Sequence, residues 1–148
     1  MSSELAKRLL TGSHRCQLDD KGRMNFPAKL REKMGETFWV ARWLDNCLIA
    51  MPEEKFSKMD ELLEQQKMSD GDEFLDFFYG AAEDVTPDKQ GRILLSHEHR
   101  EHIDAGKELV VVGMGRYAKI WTPEAREKQK DGFKDSSRIK ELMKEAGL

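Results

Sequence analysis

Two short stretches of this 148-residue chain carry the same polar signature, Asp19-Asp20-Lys21-Gly22-Arg23 and Asp88-Lys89-Gln90-Gly91-Arg92. In each, a carboxylate and a guanidinium stand four residues apart around a glycine. Glycine tolerates positive φ, and Asp accepts hydrogen bonds from the N–H groups of its own turn. Each stretch therefore predicts a tight turn between two strands, with the Arg leaving on the first residue of the second strand. A guanidinium held there can fork onto guanine O6 and N7 or clamp a phosphate. Lys21 and Lys89 at the two tips add point charges suited to phosphate. The competing reading is an Asp–Arg pair that only fastens the fold, and a single copy favours it. Two copies in register favour a surface, with Asp19, Gly22, Asp88 and Gly91 shaping the turns and the cations facing a ligand. The candidate contacts are Arg15, Lys21, Arg23, Lys29, Lys89 and Arg92.

The turns belong to a longer internal repeat. At an offset of 69, Asp19, Gly22, Arg23, Arg31 and Glu32 coincide with Asp88, Gly91, Arg92, Arg100 and Glu101. After an insertion of two, Phe38 to Pro52-Glu53 corresponds to Leu109 to Pro123-Glu124. The repeats are placed at residues 12–55 and 80–126, separated by a helical spacer at 56–79. Extensions at 1–11 and 127–148 read as helical or flexible.

The elements that must position the turns follow from local pattern. Residues 14–18 run into the first turn and Arg23–Phe26 leave it. Pro27 presets φ for a short helix to Lys33, and Ser96 in the second copy is a plausible N-cap. Phe38–Trp43 and Cys47–Met51 read as strands, repeated by Leu109–Met114 and Ala118–Trp121. Pro52-Glu53 and Pro123-Glu124 each open a helix. Glu53–Lys67 and Glu73–Tyr79, around a breaker at Ser69-Asp70-Gly71-Asp72, read as helices, as do Glu4–Leu10 and Arg138–Ala146. One repeat buries too little surface to stand alone. The expected fold is therefore α+β, with the two copies interlocked in one small pseudo-symmetric β-barrel and acidic helices outside.

Composition bounds the rest. The formal charge is −3, from 25 basic and 28 acidic residues, so a globally basic binder is excluded. Local asymmetry is strong, however. Residues 14–33 hold six cations against three acids, and residues 53–76 hold nine acids against three lysines. The most apolar uncharged run, Leu109 to Met114, is far below the roughly 20 residues of a membrane span. With no export signal and only Cys16 and Cys47, a reduced cytosol is expected.

Enzymatic and metal motifs are weak. His97-Glu98-His99-Arg100-Glu101-His102 departs from a zincin motif at its fifth position. Its His99 and His102 share a helix face, yet closed or catalytic sites need three or four converging ligands. The plainer reading is a solvated short helix. No phosphate loop or nucleophile elbow occurs. Both cysteines, and the strand residues Trp39, Trp43 and Trp121, read as packing. No catalytic residue, cofactor or metal is expected.

The sequence GSHRCQLDDKGRMNFPAKLRE, followed after an acidic spacer by VTPDKQGRILLSHEHRE, resembles the MraZ family of tandem AbrB-like (SpoVT–AbrB) proteins. The resemblance covers roughly residues 12–130. It implies a swapped-hairpin AbrB-like β-barrel made by both repeats. It also implies a ring-shaped homo-oligomer, cytoplasmic and nucleoid-associated, that binds promoter direct repeats of double-stranded DNA ahead of the division and cell-wall gene cluster. The family's DxxxR signatures fall on Asp19 and Arg23 and on Asp88 and Arg92. A ring would supply by effective concentration the affinity that one acidic protomer lacks. The competing class is an AbrB-like scaffold or antitoxin-type module that docks a protein through the Phe74–Tyr79 stripe or the C-terminal helix.

Overall fold

A computed structural model describes residues 3–66 and 71–148. In chain order the elements are α1 (Glu4–Arg8), β1 (Ser13–Gln17), β2 (Arg23–Asn25), α2 (Ala28–Met34), β3 (Phe38–Trp43), β4 (Cys47–Pro52) and α3 (Glu53–Gln65). Then follow α4 (Asp72–Phe78), a 3-10 turn at Tyr79–Ala81, β5 (Glu83–Val85), β6 (Arg92–Leu94), α5 (His97–His102), β7 (Glu108–Gly113), β8 (Ala118–Trp121), α6 (Pro123–Asp131) and α7 (Ser137–Glu145). The helix after each Pro-Glu is present, and Ser96 caps α5 by accepting from the His99 N–H at 3.2 Å. Of the expected breaker, Gly71 precedes α4 and Asp72 is its first residue, while Lys67, Ser69 and Asp70 lie outside the described residues.

The strands form a six-stranded antiparallel sheet in the order β1-β7-β8-β4-β3-β5 and a separate antiparallel pair, β2-β6. The first strand of each repeat pairs with the third strand of the other, β1 with β7 and β5 with β3. Exchanging every strand for its counterpart in the other repeat leaves both orders unchanged. The expected closed barrel is not formed. Among the described residues β1 and β5 each pair on one side only and end the sheet as open edges, and the β2–β6 pair forms a sheet of its own instead of bridging them.

Burial explains why the central strands read as continuous apolar runs. One face of the sheet carries Phe38, Val40, Leu48, Ala50, Leu109, Val111 and Ile120, packed with Met24 and Ile93 of the β2–β6 pair and with Leu30 and Met34 of α2. The other face is covered in two places. Ala41, Ile49 and Met51 pack under Phe78 of α4 with Phe56 and Met59 of α3. Val110, Val112 and Trp121 pack near Ala125 of α6. A core on both faces keeps the central strands from alternating strictly between apolar and polar, unlike β1 and the β2–β6 pair. Trp39 stacks on Phe56 with centroids 4.2 Å apart and donates to Glu53, so it fastens α3 to the sheet.

Candidate nucleic-acid interface

The backbones of the two turns are bonded alike. Asp19 Oδ1 accepts from the N–H groups of Lys21 and Arg23, each at 2.9 Å. Asp88 Oδ1 accepts from Gln90 and Arg92, each at 2.9 Å. The glycine N–H donates back to the Asp carbonyl in both, at 3.1 Å for Gly22 and 2.9 Å for Gly91. Both glycines sit at positive φ, +84° and +79°. The backbone donations, from Arg23 and Arg92 first, hold both carboxylates below the ordinary value of 3.8. The Asp residues therefore serve the turns, not a buried ion pair.

The strands leaving these turns pair with each other. Arg23 stands opposite Leu94, Met24 opposite Ile93 and Asn25 opposite Arg92. Met24 and Ile93 point into the core, so strand alternation puts Arg23, Asn25, Arg92 and Leu94 together on the outer face. Both guanidinium groups thus lie on one side of a two-stranded ribbon, half-exposed. A ribbon of this kind has the width to enter a major groove. The two arginines differ in one respect. Arg92 Nε donates to Asp88 Oδ2 at 3.0 Å, whereas the Arg23 guanidinium has no such partner among the described residues.

The other candidates scatter. Lys21 and Lys89 are exposed at the turn tips, beside the ribbon. Lys29 is exposed on the first turn of α2, which follows β2 directly. Arg15 is not gathered with them. It lies on edge strand β1, bonded to Glu108 at 3.2 Å, and lines a small cleft with Ser13, Arg126 and Lys130.

The reasoning from sequence missed what the trailing Arg residues do. Arg31 donates to the Phe26 carbonyl at 3.1 Å and its guanidinium lies on Gly91; Arg100 donates to the Leu95 carbonyl at 3.2 Å and lies on Gly22. Each turn is roofed by the other repeat's Arg. The coincidence of Gly and Arg at one offset was the available signal.

The α5 histidines also differ from expectation. The helix is not solvated throughout. His99 is fully buried, with Nε2 bonded to the Ala81 carbonyl and Nδ1 without a partner among the described residues, and burial holds its pKa below 6.5. His102 Nε2 bonds to the Trp43 carbonyl at 2.8 Å and His97 faces Glu101. The imidazoles thus tie α5 to two different backbone segments. Burial pushes the thiols of Cys16 and Cys47 up to about 11, which fits packing residues. Among the described residues no helix is long and apolar enough to cross a membrane.

Comparison with known proteins agrees with the repeat. A family model described as "MraZ protein, putative antitoxin-like" matches twice, at residues 9–76 and 77–145. A protein of Clostridium tetani named "Transcriptional regulator MraZ" is 32% identical over 142 residues, covering 95% of this chain and all of that one. Proteins of the same name from Heliobacterium modesticaldum and Desulforamulus reducens are each 36% identical over 118 residues. Those matches cover 78% of this chain and 82% and 83% of theirs.

Proposed function

This chain belongs to the MraZ family, and on that premise we propose that it is a transcriptional regulator that reads promoter DNA with its β2–β6 ribbon. The observation that carries the reading is the common outer face of Arg23 and Arg92. Arg92, held by Asp88, is oriented for a fixed hydrogen-bonding task on a base edge or phosphate; Arg23 is free to adjust. Lys21, Lys89 and Lys29 flank the ribbon as phosphate contacts. Arg15, tied to Glu108, contributes at the margin.

The finer parts of the proposal follow the family resemblance. The repeats at 12–55 and 80–126, around the spacer at 56–79, act as one AbrB-like unit of swapped hairpins; the strand order, unchanged on exchanging the repeats, supports this. Copies assemble head to tail into a closed ring at the nucleoid. Neighbouring ribbons then bind successive direct repeats upstream of the division and cell-wall genes. A net charge of −3 makes single-ribbon binding weak, so avidity supplies the affinity.

The test is a gel shift with the DNA upstream of the protein's own gene, trimmed to one, two or three repeats. Affinity is expected to climb steeply with repeat number. Equal affinity for all three fragments contradicts the avidity mechanism, and no preference over unrelated DNA favours the scaffold or antitoxin-type reading.

A further inference from the structure

A second concentration of positive charge lies in a cleft that the sequence disguises, because its parts come from four segments. α1 brings Lys7 and Arg8, α2 brings Lys33, α3 brings Lys55 and Lys58, and the loop after β7 brings Arg116. The cleft has a volume of about 480 Å³.

Its assembly is specified by the fold. Leu10, fully buried, exchanges two backbone hydrogen bonds with Gly115, each 2.8 Å. Gly113 has no room for a Cβ because the Leu10–Thr11 backbone lies against it. These contacts lock the N-terminal arm beside the loop that carries Arg116. From the other side, Lys33 Nζ donates to the Leu9 carbonyl at 3.0 Å. Lys7 and Arg8 are therefore placed where they are by buried and backbone contacts.

The charge in the cleft is poorly compensated. Among the described residues the carboxylates ion-paired to these cations are Glu4, 3.6 Å from Lys7, and Glu54, 3.3 Å from Lys58, both in exposed pairs worth little. Six cations less two acids leave an excess of four, in a chain whose total is −3. Lys55 and Arg116 have no hydrogen-bond or ion-pair partner among the described residues. The half-buried Lys33 ammonium gives one of its three donors to Leu9 and has two left. Convergent like charges raise the free energy of the empty cleft and lower it for an anion that enters.

We propose that this cleft binds a small soluble polyphosphate, of the nucleoside polyphosphate class, at a site distinct from the DNA-reading ribbon. A concave space of this size accepts a chain of phosphates whose charges sit close together. Duplex DNA presents phosphates on a convex surface and meets such a cleft only at its rim. The lining is Lys and Arg on four segments, so phosphates are gripped by several charge-assisted hydrogen bonds at once. Occupancy ties α1 to α3 and to the 113–117 loop.

The experiment is titration calorimetry of the full-length protein with inorganic tripolyphosphate and with GTP, at about physiological ionic strength to suppress loose surface binding. Orthophosphate serves as the valence control, and a short duplex lacking repeats as the DNA-backbone control. Saturable binding of one tripolyphosphate per chain is expected, with orthophosphate far weaker. The double variant Lys55→Ser/Arg116→Ser removes two exposed side chains and leaves the fold intact by circular dichroism. It should weaken tripolyphosphate about tenfold or more, since two of the charge-assisted hydrogen bonds that grip the phosphates are removed. Arg23→Ala should leave tripolyphosphate binding unchanged, which separates this site from the ribbon. Absence of saturable binding overturns the proposal, as does equal binding by the double variant. Loss of duplex affinity in the double variant, without tripolyphosphate binding, makes the cleft a DNA-backbone contact and likewise overturns it.

Discussion

The Arg31 guanidinium of the first repeat lies across Gly91 of the second, so close that a Cβ there would overlap Nη1 and stand 2.6 Å from Cζ. Arg100 lies across Gly22 in return, with its nearest atoms 3.1 Å from the corresponding position. Both glycines also occupy positive φ, which costs an L side chain about 1–2 kcal/mol. Gly22→Ala is therefore expected to lower unfolding free energy by about that amount. Gly91→Ala adds displacement of Arg31 and should cost roughly 1 kcal/mol more. Urea denaturation of both variants checks the order. In an Arg31→Ala background the two costs should converge, and a persistent gap would show that Arg31 is not the obstacle.

Arg23→Ala tests the ribbon directly. Its guanidinium has no partner among the described residues, so the fold and its melting temperature should be nearly unchanged. DNA affinity should fall by about 1–3 kcal/mol if the side chain reads a base. If it only touches phosphate, the loss should be similar for all sequences, with a shallower salt dependence. Gel shifts on operator and unrelated DNA at two salt concentrations separate these outcomes.

The turns, the strands they join and the Pro-Glu helix starts were legible because each rests on local chemistry: a carboxylate capping its own turn, glycine at positive φ, proline at a helix entrance. Sheet closure was not legible, because it depends on whether β1 and β5, far apart in sequence, meet. The roofing of Gly22 and Gly91 by Arg100 and Arg31 was half visible, as a coincidence without a contact. The burial of His99 was hidden, since its carbonyl partner, Ala81, lies 18 residues away in the 3-10 turn. The cleft at Lys33, Lys55 and Arg116 was hidden for the same reason: its charges are scattered in sequence and converge only in the fold, where the Leu10–Gly115 bridge and the Lys33–Leu9 bond hold the N-terminal arm in place.

His99 gives the fold a pH dependence. Burial lowers its pKa below 6.5, so in acid the unfolded chain takes up a proton that the folded chain resists. This contribution to stability is complete above about 6.5 and is lost as pH falls towards the lowered folded value. Asp19 and Asp88 act in a different window, since their folded pKa values lie below 3.8 and their contribution fades only at stronger acidity. Urea midpoints should therefore drop between pH 7.5 and pH 5 in the native sequence. His99→Gln should flatten that slope whatever its absolute stability. An unchanged slope assigns the effect elsewhere.

Cys16 and Cys47 should resist modification. Both are buried and their thiols are pushed up to about 11, so almost no thiolate exists at neutral pH. Ellman's reagent is expected to react with neither in native protein and with both in denaturant. Rapid reaction of either under native conditions would reveal local opening of β1 or of the β3–β4 hairpin.

The Asp residues of the two turns are predicted to respond differently to the same substitution. Asn keeps an Oδ1 acceptor, so both turn N–H bonds survive in Asp19→Asn and in Asp88→Asn. At Asp88 the second oxygen also orients Arg92, and Asn places a donor there instead. The Asp88–Arg92 pair is more than a third exposed, so its contribution to stability is small, at most about 1 kcal/mol. Both variants should therefore unfold at nearly the same urea concentration. Their DNA affinities should part: Asp19→Asn stays close to the native value, and Asp88→Asn weakens binding because Arg92 must be ordered when the complex forms. If the two variants bind alike, a pre-oriented Arg92 is not what the ribbon uses, and the flexible Arg23 carries recognition alone.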